Sequence, residues 1–449
     1  MKPREAALDA LRGWAILGMA LSGMLPWGSL PGWMYHRQLE PPGMKLNPER
    51  FGLTWVDWVF PFFIFAMGAA IPLAREASVG RIVLRGLGIG ALAIAVEHLR
   101  SSAAMADRTW LAWSLLWFLG MACCFLRWDR LPNWAVAVLR GVGVGIVGYG
   151  LWQAGELSGK AFDPSRQDSI LMSLAQVSIT AGLTWKLAQR WVGWLAIVPG
   201  LLFFFWLLKP EFWNWTPAPW AFRFEYQKYL IVAAAGIAFS HFRDRWGPYA
   251  GGLGLAALCL LASDEFRNLQ FILLVGAVLL AAERIYRKSW WLAGAAGVFG
   301  AVYLAHLLEP SLRKDPTSWS YLLLTPAFAA LVWAALRLGD PAPPRGPESG
   351  GELAAGGPVA ESESHWTGDL PMEPARAPGF VAAVGMNPIL GYIVITNLIP
   401  AGIRLTGLHG WVGNQGWSPW GLAAYAGLLT LLVGLFTMLA TRLRLFVRA

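Results

Sequence analysis

Residues 34–68, MYHRQLEPPGMKLNPERFGLTWVDWVFPFFIFAMG, join a polar loop to an aromatic run that is too apolar for a soluble surface. Asp57 lies just inside this run, and Pro61 follows it by four residues. Because proline has no N–H, the carbonyl of Asp57 loses its intrahelical partner and a helix kink is expected. The loop histidine His36, the carboxylate at the helix start and the freed carbonyl beside it together form a candidate site.

The whole chain has the composition of a polytopic membrane protein. Of its 449 residues, 56% are hydrophobic and only 14% are charged, whereas soluble domains carry about 25% charged residues. A soluble multidomain protein is therefore excluded. The net charge of +9 does not indicate nucleic-acid binding, because Lys and Arg occupy short loops between apolar runs. The three cysteines predict neither a disulfide framework nor a metal site.

The hydropathy pattern predicts an all-α bundle of about 10–14 transmembrane helices, each of about 20 mostly apolar residues. The candidate spans are residues 10–29, 53–74, 82–99, 110–126, 132–153, 168–186, 191–208, 229–242, 247–262, 268–283, 290–308, 319–337, 380–402 and 419–440. Residues 338–378, rich in Pro, Gly, Ser and Glu, predict a disordered linker between a core at 1–337 and the helices at 379–449 that complete it.

The distribution of basic residues predicts the orientation of the chain. Lys and Arg are in excess on the side that holds both termini and the 338–378 linker. The positive-inside rule therefore places these segments in the cytoplasm and the His36 loop on the outer side.

With this orientation, several polar residues gather at the outer ends of helices. Ionisable groups inside spans are costly, which favours a functional role. These residues are His36, Asp57, Glu97, His306 and Asn397.

Each of these residues also has a structural explanation. Thr54-x-x-Asp57 is a capping-box pattern, in which the side chains satisfy N–H groups at a helix start. His36 lies beside Arg37 and suits a solvated surface loop. Glu97 suits the membrane interface. The pattern alone leaves both explanations open.

Several motifs resemble one known family when they are taken together. LDALRG at 8–13 opens the first helix, and GLTWVDWVFPFF at 52–63 follows His36. LRKDPTSWSY at 312–321 and GMNPI at 385–389 add a later loop and an Asn-bearing helix. These stretches resemble the heparan-α-glucosaminide N-acetyltransferase family, most closely its bacterial membrane relatives.

The resemblance implies an acyltransferase of the bacterial inner membrane that moves an acetyl group from acetyl-CoA to an amino sugar or other glycan. It implies that His36 is the active-site histidine and Asp57 its acidic partner. One departure concerns spacing. In the lysosomal members the histidine lies close to the Gly-Leu-Thr segment, whereas here 15 residues separate His36 from Gly52.

Acyl transfer from a thioester needs a deprotonated nucleophile and a polarised carbonyl. His36 suits a general base, or itself becomes acetylated, and Asp57 would fix its tautomer. Asn387 and Asn397 are candidate oxyanion donors, and Glu97 and His306 are candidate substrate contacts. Cations that suit either the CoA phosphates or helix orientation are Arg12, Arg75, Arg81 and Arg85. No metal is expected.

Two other functions remain open at this point. A secondary transporter of a sugar or organic acid also places polar residues and broken helices in a bundle, and a non-catalytic partner of a polysaccharide assembly complex is a third possibility. Besides the acceptor, the expected partners are membrane lipid and a second copy in a homodimer. For a transferase we expect Trp33, Met34 and Tyr35 to dip into the bundle and bring His36 within hydrogen-bond reach of Asp57, beside Glu97 or His306.

Overall fold

The fold is almost entirely helical in the part of the chain that the computed structural model describes. The described residues are 5–50, 52–74, 78–100, 108–126, 128, 131–158, 162–208, 215–241, 312–315, 317–338 and 378–447. Their α-helices are α1 (Ala6–Met24), α2 (Trp55–Ala70), α3 (Val79–His98), α4 (Arg108–Phe125), α5 (Asn133–Ser158), α6 (Ser169–Ala188), α7 (Trp194–Leu208), α8 (Leu230–His241), α9 (Trp319–Leu338), α10 (Phe380–Gly385), α11 (Pro388–Ile393), α12 (Ile399–Leu405), α13 (Leu408–Asn414) and α14 (Pro419–Arg442).

Short irregular elements connect these helices. A 3₁₀ turn at Gly32–Met34 precedes two strands, β1 (Leu39–Glu40) and β2 (Lys45–Leu46), which pair antiparallel with Leu39 opposite Leu46. A second 3₁₀ segment, Phe224–Tyr229, leads into α8. The strands lie in the loop that carries His36, so the loop has a folded hairpin of its own.

Five helical segments in the described residues are long and apolar enough to cross a membrane: Val79–His98, Asn133–Gln153, Ser169–Ala188, Pro388–Leu405 and Pro419–Arg442. Trp55–Ala70 and Leu111–Phe125 are shorter apolar helices. The prediction of an all-α polytopic membrane protein is thereby confirmed. The predicted spans at 247–262, 268–283 and 290–308 lie outside the described residues, as does the linker from 339 to 377.

The predicted span over 380–402 begins later than expected, because the helix is broken at Asn387 and the apolar span runs over Pro388–Leu405. α10 ends at Gly385, and Asn387 adopts φ −134° and ψ 53°, which is not helical. Pro388 begins α11, and a proline disfavours helical backbone at the residue before it. A π-helical segment, Val394–Leu398, then separates α11 from α12.

Helix α2 lies at the centre of the packing that positions the candidate site. Its residues Ile64, Phe65 and Ala66 are completely buried. Near its start, the Trp58 ring meets the Phe328 ring of α9 at a centroid distance of 4.4 Å, edge to face. Such aromatic contacts hold a helix in a defined rotation as well as burying area. The first turn of α2 is thus fixed against α9.

Candidate active site

The first turn of α2 holds Asp57 through hydrogen bonds to one of its two carboxylate oxygens. Oδ2 accepts the backbone N–H of Thr54 at 2.9 Å and the backbone N–H of Arg37 at 3.1 Å. The Thr54 contact is the cap that the sequence pattern predicts. The Asp57 side chain is 2% exposed. These two hydrogen bonds occupy Oδ2 and leave Oδ1 for a different partner.

That partner is His36, whose Nδ1 lies 2.7 Å from Asp57 Oδ1. The predicted approach of these two residues is confirmed. The imidazole side chain is 34% exposed, so it is only partly covered while its Nδ1 meets the carboxylate. The sequence offers two alternative roles for Asp57, a helix cap and a partner of the imidazole. Asp57 has both contacts, because each carboxylate oxygen serves one of them.

The protonation of the imidazole follows from its partner. A carboxylate that receives two backbone N–H donors is ionised and can only accept hydrogen bonds. His36 Nδ1 therefore carries the proton, and Nε2 presents its lone pair. This is the tautomer that a general base requires.

The loop before His36 is anchored by Tyr35, which is buried together with Met34. The Tyr35 hydroxyl accepts the backbone N–H of Leu30 at 3.0 Å and donates to the carbonyl of Pro26. The Tyr35 carbonyl in turn accepts the Thr54 hydroxyl. Burial of Met34 and Tyr35 was expected, but Trp33 is 58% exposed and does not enter the bundle.

A second segment, residues 312–315 with 317 and 318, reaches the same place from far along the chain. Lys314 Nζ lies 3.3 Å from Nδ1 and 3.4 Å from Nε2 of His36. Gly52, at φ +103°, donates its N–H to the carbonyl of Leu312 at 2.9 Å. A side chain at Gly52 would be strained in this left-handed backbone. The turn before α2 therefore requires glycine at position 52, where the backbone N–H contacts the loop that contains Leu312.

Lys314 is half-buried and has two acidic neighbours. Burial lowers the pKa of Lys314 below its ordinary value, and the charges of Asp57 and Asp315 act in the opposite direction. The ammonium of Lys314 is therefore less hydrated than the ammonium of a lysine on the protein surface.

The carbonyl freed by Pro61 also has a partner. α2 continues through Pro61, and the Asp57 carbonyl accepts the hydroxyl of Tyr321 from α9 at 2.9 Å. Tyr321 is completely buried. The expected loss of an intrahelical bond is thus compensated by a tertiary one, which ties α9 to the residue that holds His36.

The structure does not bring Asn387 to this site. Asn387 Nδ2 donates to the carbonyl of Leu445 at 2.6 Å, and its Oδ1 accepts the N–H of Val447 at 3.2 Å. Gly385 packs against the backbone of Asp9, near the start of α1, whereas His36 follows the end of α1. The amide of Asn387 holds the C-terminal tail near the start of α1, so this placement gives no support to its expected role as an oxyanion donor, which stays a prediction.

Asn397 and Glu97 belong to a different group of polar residues. Asn397 donates to the carbonyl of Val96 at 3.3 Å, and Glu97 pairs with Arg100 at 3.5 Å. Arg100 also contacts Asp168 at 2.9 Å, and the Tyr392 hydroxyl donates to the same carboxylate. These contacts join α3 to its neighbours and give no support to the expected roles of Asn397 as an oxyanion donor and of Glu97 beside His36, which stay predictions.

The cations expected at CoA phosphates have mixed placements. Arg12 contacts Asp9 and the carbonyl of Ala66, each at 3.0 Å, and so orients α1 against α2. Its role in phosphate binding is not supported, because those donors are used internally. Arg81 and Arg85 lie on the exposed face of α3. Arg75 and His306 lie outside the described residues.

Sequence reasoning missed three contributors to the site: Lys314, Tyr321 and Gln38. The only signal for the first two is that 312–321 resembles a loop of the transferase family. Gln38 carries no signal, because its contacts are with residues far along the chain. Among the described residues, no group of three or more His, Cys, Asp or Glu side chains could hold a metal ion.

Comparison with known proteins adds one match. Residues 4–241 match the model of a family described as a domain of unknown function (DUF5009). The matched range holds His36 and Asp57 and ends before Lys314 and Tyr321. No curated protein and no solved structure matches the chain.

Proposed function

The chain belongs to the DUF5009 family, and we propose that it is a membrane acyltransferase that moves an acetyl group from acetyl-CoA to an amino sugar or other glycan. The observation that carries this proposal is the His36–Asp57 pair. The 2.7 Å contact between Nδ1 and Oδ1 orients an imidazole whose Nε2 is left unprotonated and can take a proton. The resemblance of residues 8–13, 52–63 and 312–321 to the heparan-α-glucosaminide N-acetyltransferase family supports the choice of reaction.

In the proposed reaction the acceptor amine attacks the thioester carbonyl carbon, and a C–N bond forms. The carbonyl π electrons move to oxygen, and the amine proton goes to His36 Nε2. Collapse of the tetrahedral intermediate breaks the C–S bond, and the departing thiolate takes the proton from the imidazolium. The products are the N-acetylated acceptor and free CoA. Asp57 stabilises the imidazolium throughout and remains ionised.

The proposed orientation puts the His36 site on the outer side of a bacterial inner membrane, with both termini in the cytoplasm. Arg12 contacts Ala66, nine residues beyond Asp57 along α2, or roughly 14 Å of helix. Under this orientation, a CoA molecule that enters from the cytoplasm has to extend its acyl end along α2 to reach His36. Arg81 and Arg85 remain the candidates for its phosphates.

A secondary transporter is the alternative, and one observation favours it. The segment from α10 to α12 is discontinuous, as binding helices of transporters are. Its two asparagines, however, have partners within the protein, Asn387 in the tail and Asn397 at the end of α3. The acyltransferase proposal explains the oriented imidazole, which a transporter does not need.

The test is acetyl transfer by purified full-length protein in lipid nanodiscs. Acetyl-CoA and a panel of amino sugars are supplied, free CoA is measured with a thiol reagent, and acetylated products are identified by mass. We expect CoA release that depends on the acceptor and is lost in His36→Gln. Protein-dependent uptake of the sugar into vesicles without any acetylated product would overturn the proposal and favour transport.

A further inference from the structure

We propose that Lys314 is the cationic group that binds the carbonyl oxygen of the acyl donor at this site, and that Gln38 positions it there. The inference rests on the proposed function. It assigns the role of oxyanion donor to a residue that the sequence pattern did not single out, and it adds a positioning residue behind it.

The location of the Lys314 ammonium relative to His36 Nε2 supports its proposed role in binding the carbonyl oxygen. A nucleophile that gives its proton to His36 lies about 3 Å from Nε2, and the carbonyl that it attacks is within a similar distance again. Lys314 Nζ lies 3.4 Å from Nε2. An oxyanion that develops next to this nitrogen therefore forms within reach of the ammonium. Donors fixed in place before the reaction are the ones that stabilise such charge most.

The charges around Lys314 suit this role. It faces the imidazole of His36 from the loop after α1, Asp57 from α2 and Asp315 from its own loop. The two carboxylates favour the charged ammonium, while burial disfavours it. Oxyanion binding requires the charged form, so activity should fall on the alkaline side at a lower pH than an ordinary lysine would impose.

Gln38 is 3% exposed and makes three hydrogen bonds to the Lys314 loop. Its Oε1 accepts the backbone N–H of Lys314 at 3.2 Å and that of Asp315 at 2.8 Å. Its Nε2 donates to the carbonyl of Asp315. Because Gln38 is two residues from His36, the same short segment carries the imidazole and fixes the backbone of the lysine. This relationship sets the distance between the two side chains.

The catalytic role is tested by activity. We expect Lys314→Met to lower kcat by about 100-fold or more, which is the loss typical of a removed oxyanion donor. Lys45→Met is the matched control, because Lys45 is exposed in the hairpin of the same loop, and it should stay within about twofold of wild type. A Lys314→Met enzyme with wild-type kcat would overturn the role while leaving the acyltransferase proposal intact.

The positioning role is tested without any turnover. Competitive labelling of amines with acetic anhydride across pH, followed by peptide mass spectrometry, reports the titration of each lysine. We expect the pKa of Lys314 to lie below the ordinary lysine value in the wild type, because burial lowers it, and to move up toward that value in Gln38→Ala. If Lys314 titrates identically in the wild type and in Gln38→Ala, the positioning role of Gln38 is overturned. If the wild type shows no acetyl transfer at all, the proposed function and the catalytic role of Lys314 are both overturned. The labelling result still tests whether Gln38 positions Lys314.

Discussion

The hydroxyl of Tyr321 donates to the backbone carbonyl of Asp57 at 2.9 Å across 264 residues of sequence. Pro61 leaves this carbonyl without an intrahelical donor, and the phenol of α9 takes the vacant place. The contact joins the helix that carries Asp57 to the helix that follows the Lys314 loop. The proline in α2 thus creates an acceptor that assembles two distant parts of the chain.

Tyr321→Phe should lower the stability of the protein, because it leaves a buried carbonyl unsatisfied at a cost of about 1–3 kcal/mol. Thermal unfolding in detergent measures the change, with Tyr149→Phe on the exposed side of α5 as the matched control. In a Pro61→Ala background the new N–H satisfies the carbonyl, so the cost of Tyr321→Phe should shrink. An equal cost in both backgrounds would show that the hydroxyl does not serve the Asp57 carbonyl.

Gly385→Ala should destabilise the crossing of α1 and α10. A Cβ at Gly385 would overlap the carbonyl of Asp9 and meet backbone atoms of Asp9 and Gly13 within 2.6 Å, so the two helices must separate. Overpacking of this kind costs about 1–3 kcal/mol. Gly402→Ala in α12 is the control, because nothing lies within 4 Å of its Cβ position. Equal melting temperatures for the two variants would contradict the close approach.

Asn387→Ala should release the C-terminal tail and leave acetyl transfer intact. Its two hydrogen bonds to Leu445 and Val447 are lost, each worth on the order of 1 kcal/mol. Limited trypsin digestion followed by intact mass should then show faster cleavage after Arg444 than in the wild type. Asn414→Ala, at an exposed position, is the control. Strong loss of turnover with an unchanged tail would restore Asn387 to the site.

Short-range sequence patterns predicted much of this site. The Thr54–Asp57 cap and the carbonyl freed by Pro61 depend on residues within four positions of Asp57, where backbone sterics leave few alternatives. The pairing with His36 was also predicted, from the length of the loop and the chemistry of the two side chains. The burial of Met34 and Tyr35 followed from their apolar character.

The remaining contacts depend on tertiary neighbours that no local pattern encodes. Lys314 lies 278 residues from His36, and only the resemblance of its loop pointed to it. An asparagine within a span suits a catalytic amide and a structural clamp equally well. In the structure the amides of both Asn387 and Asn397 have structural partners, which the sequence pattern does not reveal. Pro388 is a sequence signal for a break before it, but the hydropathy pattern alone does not separate α10 from α11.

The proposed orientation of the chain predicts opposite labelling of two introduced cysteines. Lys45→Cys lies in the hairpin beside the site, and Gly350→Cys lies in the linker. In a variant without the native cysteines, a membrane-impermeant maleimide added to intact cells should label position 45 and spare position 350. Labelling of both from one side would contradict the orientation, and the outer location of the His36 site with it.

The measurement that tests the central claim most directly is acetyl transfer by Asp57→Asn. The asparagine oxygen can replace Oδ2 at the Thr54 and Arg37 N–H groups, so the helix start keeps its cap and expression should be normal. Its NH₂ group then faces His36 Nδ1 and donates to it, which moves the ring proton to Nε2 and removes the base. We expect a folded protein whose turnover falls by about 10³–10⁴-fold. A well-expressed Asp57→Asn protein with wild-type turnover would contradict the account, because Asp57 would then be a cap and nothing more.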